Sequence, residues 1–527
     1  MMRAKVFTLL ASLLVASRAA GQQVPTGFAV EPLAQGLAMP TALQFMPDGR
    51  ILFVEQKTGL VRVLSADAHL QSSPVLQVPE LNTAGPERGL LGVALDPAFP
   101  TRPYLYAHYT ATPPSHIRIA RFELAGDLAG NGDRDLTADP LSRYDLIDDI
   151  PDQADNHNGG TVRFAVDGFL YVSLGEDAVP CAAQDTTQLR GKILRLKVDA
   201  LPDGPGRAFR AQITPVDNPF ASRPDSNARL VAALGLRNPF RIQPDRVRNW
   251  LVIGDPGDRT REELDVLVLH LPTPRPAQPE LGADFGWPFL EGSVPGPYAN
   301  TCGPVLQNLA APEFDYDRTQ QVGGAAIIAA GAYWATGTGA YDWPADYAGD
   351  LFANDYYSGT LYRLSPLGNG YAPAPDVPGQ PAPGQWGIGF NEISDWALWR
   401  DGAFYFCRQS INFAANSGVI GRIVSTGPPP PPPLNPPLEL RVGSLPAIGR
   451  AVFIVPNEYR FVLLKLYDTT GRLVRTFPNN EFVALPSGLQ VFWDGRDADG
   501  RAVRPGMYLA KLESMGRSAM ARVPFLR

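Results

Sequence analysis

Imidazole is scarce in this chain. His69, His108, His116, His157 and His270 are the only 5 histidines in 527 residues, so few side chains can change charge near neutral pH. Thiols are scarcer: Cys181, Cys302 and Cys407 are 3 in all. They show no zinc-ligand spacing, and too few exist for a disulfide framework. One bridge with one odd thiol is open, and the pairing is not fixed by the sequence. Positive charge is not in excess either. A formal net charge of -7, with no basic stripe and no aromatic-basic interleaving, argues against a nucleic-acid partner. Beyond Val6–Ala16 no apolar run approaches the ~20 residues of a membrane span. Nucleophile elbows of the Gly-x-Ser-x-Gly type and His-Glu-x-x-His pairs are missing. The run "ATGTGAYDW" leads into no helix, so it is no dinucleotide fingerprint.

What is abundant is punctuation. The chain holds 51 Gly and 53 Pro, and sustained helical periodicity is hard to find. Arg3 and Lys5 precede the short apolar run, and "ASRAAG" follows it. This pattern predicts a secretory signal peptide over 1–21, and hence a protein outside the cytoplasm. Six consecutive prolines, Pro428 to Pro433, favour an extended rod. They divide the chain into a long segment (22–426), a linker (427–437) and a small C-terminal unit (438–527).

Two short patterns recur in the long segment. Asp-Gly turns lead into strands in "MPDGRILFVEQ", "AVDGFLYVSLG" and "WRDGAFYFCRQ", where Asp-Gly suits the positive φ angles of a tight hairpin. Gly-led strands ending apolar-x-Arg-apolar follow in "GLVRV", "GKILRL", "GTLYRL" and "GVIGRI". Strand pairs repeating at irregular intervals predict the blades of a β-propeller, since ~400 residues of short strands exceed one sandwich. The C-terminal unit reads as about seven short strands, which fits an immunoglobulin-like β-sandwich. The fold class is therefore all-β.

Eight collinear stretches carry a resemblance. They are "MPTALQFMPDGRILFVEQKTGLVRVL", "ERGLLGVALDPAFP", "HNGGTVRFAVDGFLYVSLGE", "LRGKILRL", "ALGLRNPFRI", "EELDVL", "ADFGWPFLEG" and "GDLFANDYYSGTLYRL". Together they resemble the glucose/sorbosone dehydrogenase family of secreted, pyrroloquinoline-quinone-dependent aldose dehydrogenases. The resemblance implies a six-bladed propeller and oxidation of the C1 hydroxyl of a sugar. The C-terminal "LYDTTGRLVRTF" and "WDGRDADGRAVRPGMYLAKL" are similar to the immunoglobulin-like domain of flagellar hook-capping proteins (FlgD-like). That likeness implies presentation at a cell surface or a secretion-associated partner.

In such a reaction a base takes the hydroxyl proton, and the cofactor takes the hydride. The resemblance puts His157, in "DNHNGG", on the base and Asn156 on the position of its orienting Asp. Arg237 and Asn238 fall on the quinone-contacting pair. Glu87 stands where relatives carry a substrate-side Gln, and Asn158 and Trp287 join Glu87 and Asn156 on the substrate side. Trp334, Tyr356 and Tyr357 offer further aromatic faces for a sugar, or simply blade packing. Calcium is expected at "GDPGDRTREELDV", with Gly257, Asp258 and Glu262 as oxygen ligands. A second oxygen-rich run, "DLAGNGDRDLTADP", lacks the Gly and Glu of a calcium loop and reads as a polar insertion.

Three departures stand out. Phe240 and Arg241 replace the Gln-Gly that follows the Arg-Asn pair in sugar-oxidising relatives. Tyr357 stands for the cofactor-binding lysine, and Glu392 and Ser394 stand for two arginines that clamp the cofactor's carboxylates. A tricarboxylate needs cationic partners, so the alternative reading is a non-catalytic propeller that binds a glycan or a protein at the same funnel.

Overall fold

The computed structural model describes residues 21–527 except 270–278, 299–300, 304–307, 322, 369, 428–439, 446–449, 456–461, 478–481, 486–487, 499, 515–516 and 526–527. All but the last residue of the expected signal peptide and all but the first residue of the expected linker lie outside the described residues. No helix among the described residues is long and apolar enough to cross a membrane.

The recurring Asp-Gly turns build one hairpin design three times. Gly49, Gly168 and Gly402 donate their N–H groups to the carbonyls of Met46, Ala165 and Trp399 at 3.0, 3.1 and 3.0 Å. In each turn the preceding Asp (Asp48, Asp167, Asp401) accepts the N–H two residues on. Only the glycines have positive φ, at 95°, 82° and 83°. The turns are thus not two-residue hairpins with both central residues left-handed. The aspartate caps the turn with its carboxylate while the glycine takes the left-handed angle.

Each turn feeds a strand that pairs antiparallel with the Gly-led strand that follows it. Ile51–Glu55 pairs with Leu60–Leu64, Leu170–Leu174 with Lys192–Leu196, and Phe404–Arg408 with Gly418–Ser425. Six sheets of four or more strands form this way between Phe28 and Ser425. Their innermost strands are Pro40–Phe45, Leu90–Leu95, Val162–Phe164, Arg241–Asp245, Ile327–Ala332 and Ile393–Leu398. Each packs on the next, and the last packs on the first, so the sheets close a ring. The N-terminal strand Phe28–Leu37 completes the last sheet by pairing with Gly418–Ser425, tying the two ends of the segment together. The architecture is an all-β propeller, and the buried clusters between successive sheets are its core.

Arg241 gives one departure its physical reason. Its side chain is fully buried, and its five N–H groups meet acceptors on four other parts of the ring. Nε donates to the Ser394 carbonyl, Nη1 to Gly160 O and Thr161 Oγ1, and Nη2 to the carbonyls of Thr41 and Leu91. Burial lowers its pKa to about 10, which leaves it charged at neutral pH. Asp395, 3.6 Å away, also accepts from Arg163 Nη2 at 2.7 Å and Leu43 N at 2.9 Å. A buried cation is tolerable only when every donor is used, and here each one bridges to another inner strand or its entry loop. This arginine bolts the axis of the ring.

The cysteines are settled by position. Cys181 and Cys302 form a disulfide, and Cys407 is a buried free thiol. The run expected as a polar insertion is one: Asp127 accepts the N–H groups of Asn131 and Gly132, both at 2.9 Å. Beyond the linker, eight strands form two further four-stranded sheets around one cluster that includes Phe453, Leu464, Trp493 and Phe525.

Candidate functional site

One end of the ring collects the loops that enter the inner strands and those that leave the second strands. Glu87, His157, Asn158, Arg237 and Asn238 come from entry loops. Glu176, Asp255 and Tyr357 follow or end second strands. The sequence separates these residues by up to 270 positions; the ring brings them to one mouth.

His157 is nine-tenths buried and holds a positive φ of 57°. A left-handed non-glycine residue carries backbone strain of about 1–3 kcal/mol that surrounding contacts must offset. Asp177 N donates to the His157 carbonyl at 3.2 Å. Gly175 passes so close that a Cβ there would lie 2.1 Å from that oxygen and 2.7 Å from Asn238 Oδ1; no other residue fits. The ring nitrogen Nδ1 lies 2.6 Å from Glu176 Oε1. The buried Glu176 carboxylate therefore fixes the tautomer with the proton on Nδ1, which leaves a lone pair on Nε2. The carboxylate beside Nδ1 comes from Glu176, and Asn156, which stands at the position of the relatives' orienting Asp, makes no hydrogen bond to the imidazole among the described residues. Nε2 has no protein partner among the described residues.

A polar lattice locks the rest. Glu87 Oε2 accepts from Asn158 N and from Asn238 Nδ2, each at 3.2 Å. Asn238 Oδ1 accepts from Gly159 N at 3.0 Å. Asn158 Nδ2 donates to Asp152 Oδ1 at 3.0 Å. Asp255 receives the amides of Arg237 at 2.8 Å and Asn238 at 2.6 Å. Burial raises the Asp255 carboxyl to about 6, against the pull of those two amides and of the Arg237 charge. Arg237 itself donates to the Pro256 carbonyl at 3.1 Å and to Asp258 Oδ1 at 3.3 Å, which leaves further N–H groups of its half-buried guanidinium uncommitted.

Several expected residues land elsewhere. Trp287 is 2% exposed and lies beneath Arg237, 5.5 Å from its guanidinium carbon. It supports the arginine and offers no face to a sugar. Trp334 bonds Asp245 Oδ1 at 3.0 Å, at the far end of the inner strand that Arg237 and Asn238 precede, so it is remote from the mouth. Tyr356 donates to Gln409 Oε1 at 2.6 Å. Tyr357 is 43% exposed. Glu392 is buried at a φ of 60°, where it takes the Ser410 hydroxyl and, at 3.0 Å, the Phe413 amide.

The expected calcium loop is built but holds a different cation. The carbonyls of Gly257 and Asp258 both accept from Arg318 Nη1, the first at 2.6 Å. Glu262 Oε1 lies 3.1 Å from Arg318 Nε. No group of three or more acidic, His or Cys residues among the described residues is arranged to hold a metal. Gly257 and Asp258 as they stand do not fit calcium, because a guanidinium already takes their carbonyls, and Glu262 Oε1 is ion-paired to the same group without a hydrogen bond.

The fold and this mouth define a class: an all-β propeller that presents, at one end of its ring, an imidazole paired with a carboxylate, together with an Arg-Asn pair. The chain belongs to the glucose/sorbosone dehydrogenase family, whose model matches residues 37–341. Among curated relatives it is 27% identical over 276 residues to the aldose sugar dehydrogenase YliI of Escherichia coli (strain K12), covering 51% of this chain and 64% of that one. It is 24% identical over 292 residues to the Hedgehog-interacting protein of Homo sapiens, covering 51% and 40%. It thus spans less than two thirds of these relatives. The PQQ-bound form of an aldose sugar dehydrogenase from Streptomyces coelicolor shares its fold, with a TM-score of 0.54 at 21% identity over 76% of this chain and 99% of that one.

Proposed function

We propose that this protein oxidises the C1 hydroxyl of an aldose outside the cytoplasm. The observation that carries the reading is the His157–Glu176 pair, with Nε2 unpartnered, in a loop that Asn238 ties through Gly159 N at the same end of the ring as Arg237. A sugar hydroxyl at Nε2 gives up its proton to the imidazole. The Glu176 carboxylate 2.6 Å behind stabilises the imidazolium that forms. Glu87 uses one oxygen on two donors and keeps the other for a sugar hydroxyl. Asn158 is fully buried, its backbone N–H on Glu87 and its amide on Asp152, so it supports the loop that carries the imidazole and does not face a substrate.

The carbon must lose a hydride as the oxygen loses its proton. A bound quinone of the pyrroloquinoline class would accept those two electrons and the hydrogen. The chain fits the quinone end of such a cofactor through the uncommitted N–H groups of Arg237, held in place by Pro256 and Asp258. Its carboxylate end lacks a lysine-arginine clamp, since Tyr357 and Glu392 occupy those positions. Binding weaker than a full clamp provides is therefore expected.

That missing clamp favours the second reading, a propeller that binds a glycan or a protein partner without turnover, displayed by the C-terminal immunoglobulin-like unit. One experiment separates the two. Purified protein with added quinone is assayed for aldose-dependent dye reduction, beside His157→Ala. The oxidoreductase reading expects turnover that falls ~10²-fold or more in the variant. Sugar binding with no dye reduction leaves the second reading standing.

A further inference from the structure

The loop after strand Trp250–Asp255 is organised around two opposite charges. On one side, Glu291 Oε1 accepts four successive amides, those of Asp258, Arg259, Thr260 and Arg261, at 2.8, 2.6, 2.7 and 3.1 Å. Four N–H groups converging on one carboxylate oxygen turn the adjacent carbonyls outward, to the other side of the loop. Gly257 is obligatory there, because a Cβ would sit 1.7 Å from the Arg261 carbonyl.

The outward oxygens meet Arg318. Its Nη1 donates to the carbonyls of Gly257 and Asp258, and its Nη2 donates to Ala325 O at 3.2 Å. Its Nε pairs with Glu262, whose second oxygen takes the Ile327 amide at 2.9 Å. The Arg318 backbone is itself anchored, with its N–H on the Thr260 carbonyl at 3.0 Å. Arg237 takes the neighbouring Pro256 carbonyl. Of the three residues that the sequence offers as metal ligands, Gly257 and Asp258 give their carbonyls to one guanidinium, and Glu262 is ion-paired to it at 3.1 Å without a hydrogen bond from it.

We infer that Arg318 is the resident cation of this loop, occupying by covalent attachment the place a divalent ion would take, so that the loop binds no calcium. Oxygens oriented toward one point need a positive charge between them, or their dipoles repel. A guanidinium supplies five directed N–H groups and never loses its charge at neutral pH. A tethered cation is also immune to chelators, which a bound ion is not.

The test counts calcium and makes no use of turnover, so it stands or falls apart from the oxidoreductase reading. Full-length wild type and Arg318→Ala are stripped with chelator and titrated with calcium by calorimetry, with melting temperature followed in parallel. Arg318→Ala is expected to bind one calcium more per chain than wild type and to regain melting temperature as calcium is added. Arg318→Lys, which keeps a charge, should match the wild-type count. Equal calcium counts for wild type and a folded Arg318→Ala would overturn the inference. Should Arg318→Ala fail to fold in chelator, folding on addition of millimolar calcium supports the inference and failure to fold there overturns it.

Discussion

At the scale of single residues, the proposed oxidation rests on an imidazole held by a buried carboxylate. Glu176 is 1% exposed and acts only through His157, so it is a positioning residue. Glu176→Gln keeps the shape but presents an amide to Nδ1 and cannot balance an imidazolium. The expected result is a kcat lower by ~10²-fold with KM little changed. Glu176→Asp should recover part of the loss. A purely structural role would instead lower stability and leave the kinetics of the folded fraction intact. His157, Asn158, Arg237, Asn238 and Glu87 could be named as candidates from the sequence, because each lies in a short motif with its own composition. Glu176 was hidden at the end of an ordinary strand. The signal that finds it is register: Val162 pairs with Val172 across the turn at Asp167–Gly168, and counting outward sets Asn158 and His157 beside Glu176 and Asp177. Trp287 misled for the opposite reason. An aromatic near the site satisfies the composition of a sugar platform, and only burial shows that its faces are already covered.

Among the elements, the hairpin turns and the entry loops use glycine for different reasons, and substitution separates them. Gly168 has a φ of 82°, and a Cβ there meets nothing within 4 Å. Gly168→Ala should therefore cost only the left-handed strain, about 1 kcal/mol, and leave the mouth intact. A Cβ at Gly175 would lie 2.1 Å from the His157 carbonyl, so Gly175→Ala must move the loop that carries the base. It is expected to cost more stability than Gly168→Ala and to lower turnover as well. Thermal melts beside dye-reduction rates check both, and equal effects of the two substitutions would contradict the distinction. The repeating strand pairs were readable because period-2 apolar runs bounded by Asp-Gly are local signals. Which sheet neighbours which was not, since successive inner strands lie tens of residues apart and the closing contact joins Pro40–Phe45 to Ile393–Leu398 at opposite ends of the segment. Arg318 escaped notice on the same ground: it lies about 60 residues beyond the loop it neutralises.

For the whole molecule, closure of the ring is what makes a site out of dispersed loops. Pairing of Phe28–Leu37 with Gly418–Ser425 ties the ends of the segment. Arg241 reaches Thr41, Leu91, Gly160 and Ser394 across the axis. A residue that stood out as a departure from the relatives' Gln-Gly is thus a structural bolt across the axis. Glu392 is likewise held in the structure, by the Ser410 hydroxyl and the Phe413 amide, and in the proposed function the lack of a cation at Tyr357 and Glu392 weakens the hold on an anionic cofactor. The account's central claim is that the mouth receives a quinone against Arg237, opposite His157. Calorimetric titration of the full-length protein with pyrroloquinoline quinone tests it most directly. The account predicts one quinone per chain, bound markedly more weakly by Arg237→Ala. A titration with no heat of binding, or one that Arg237→Ala leaves unchanged, would contradict it.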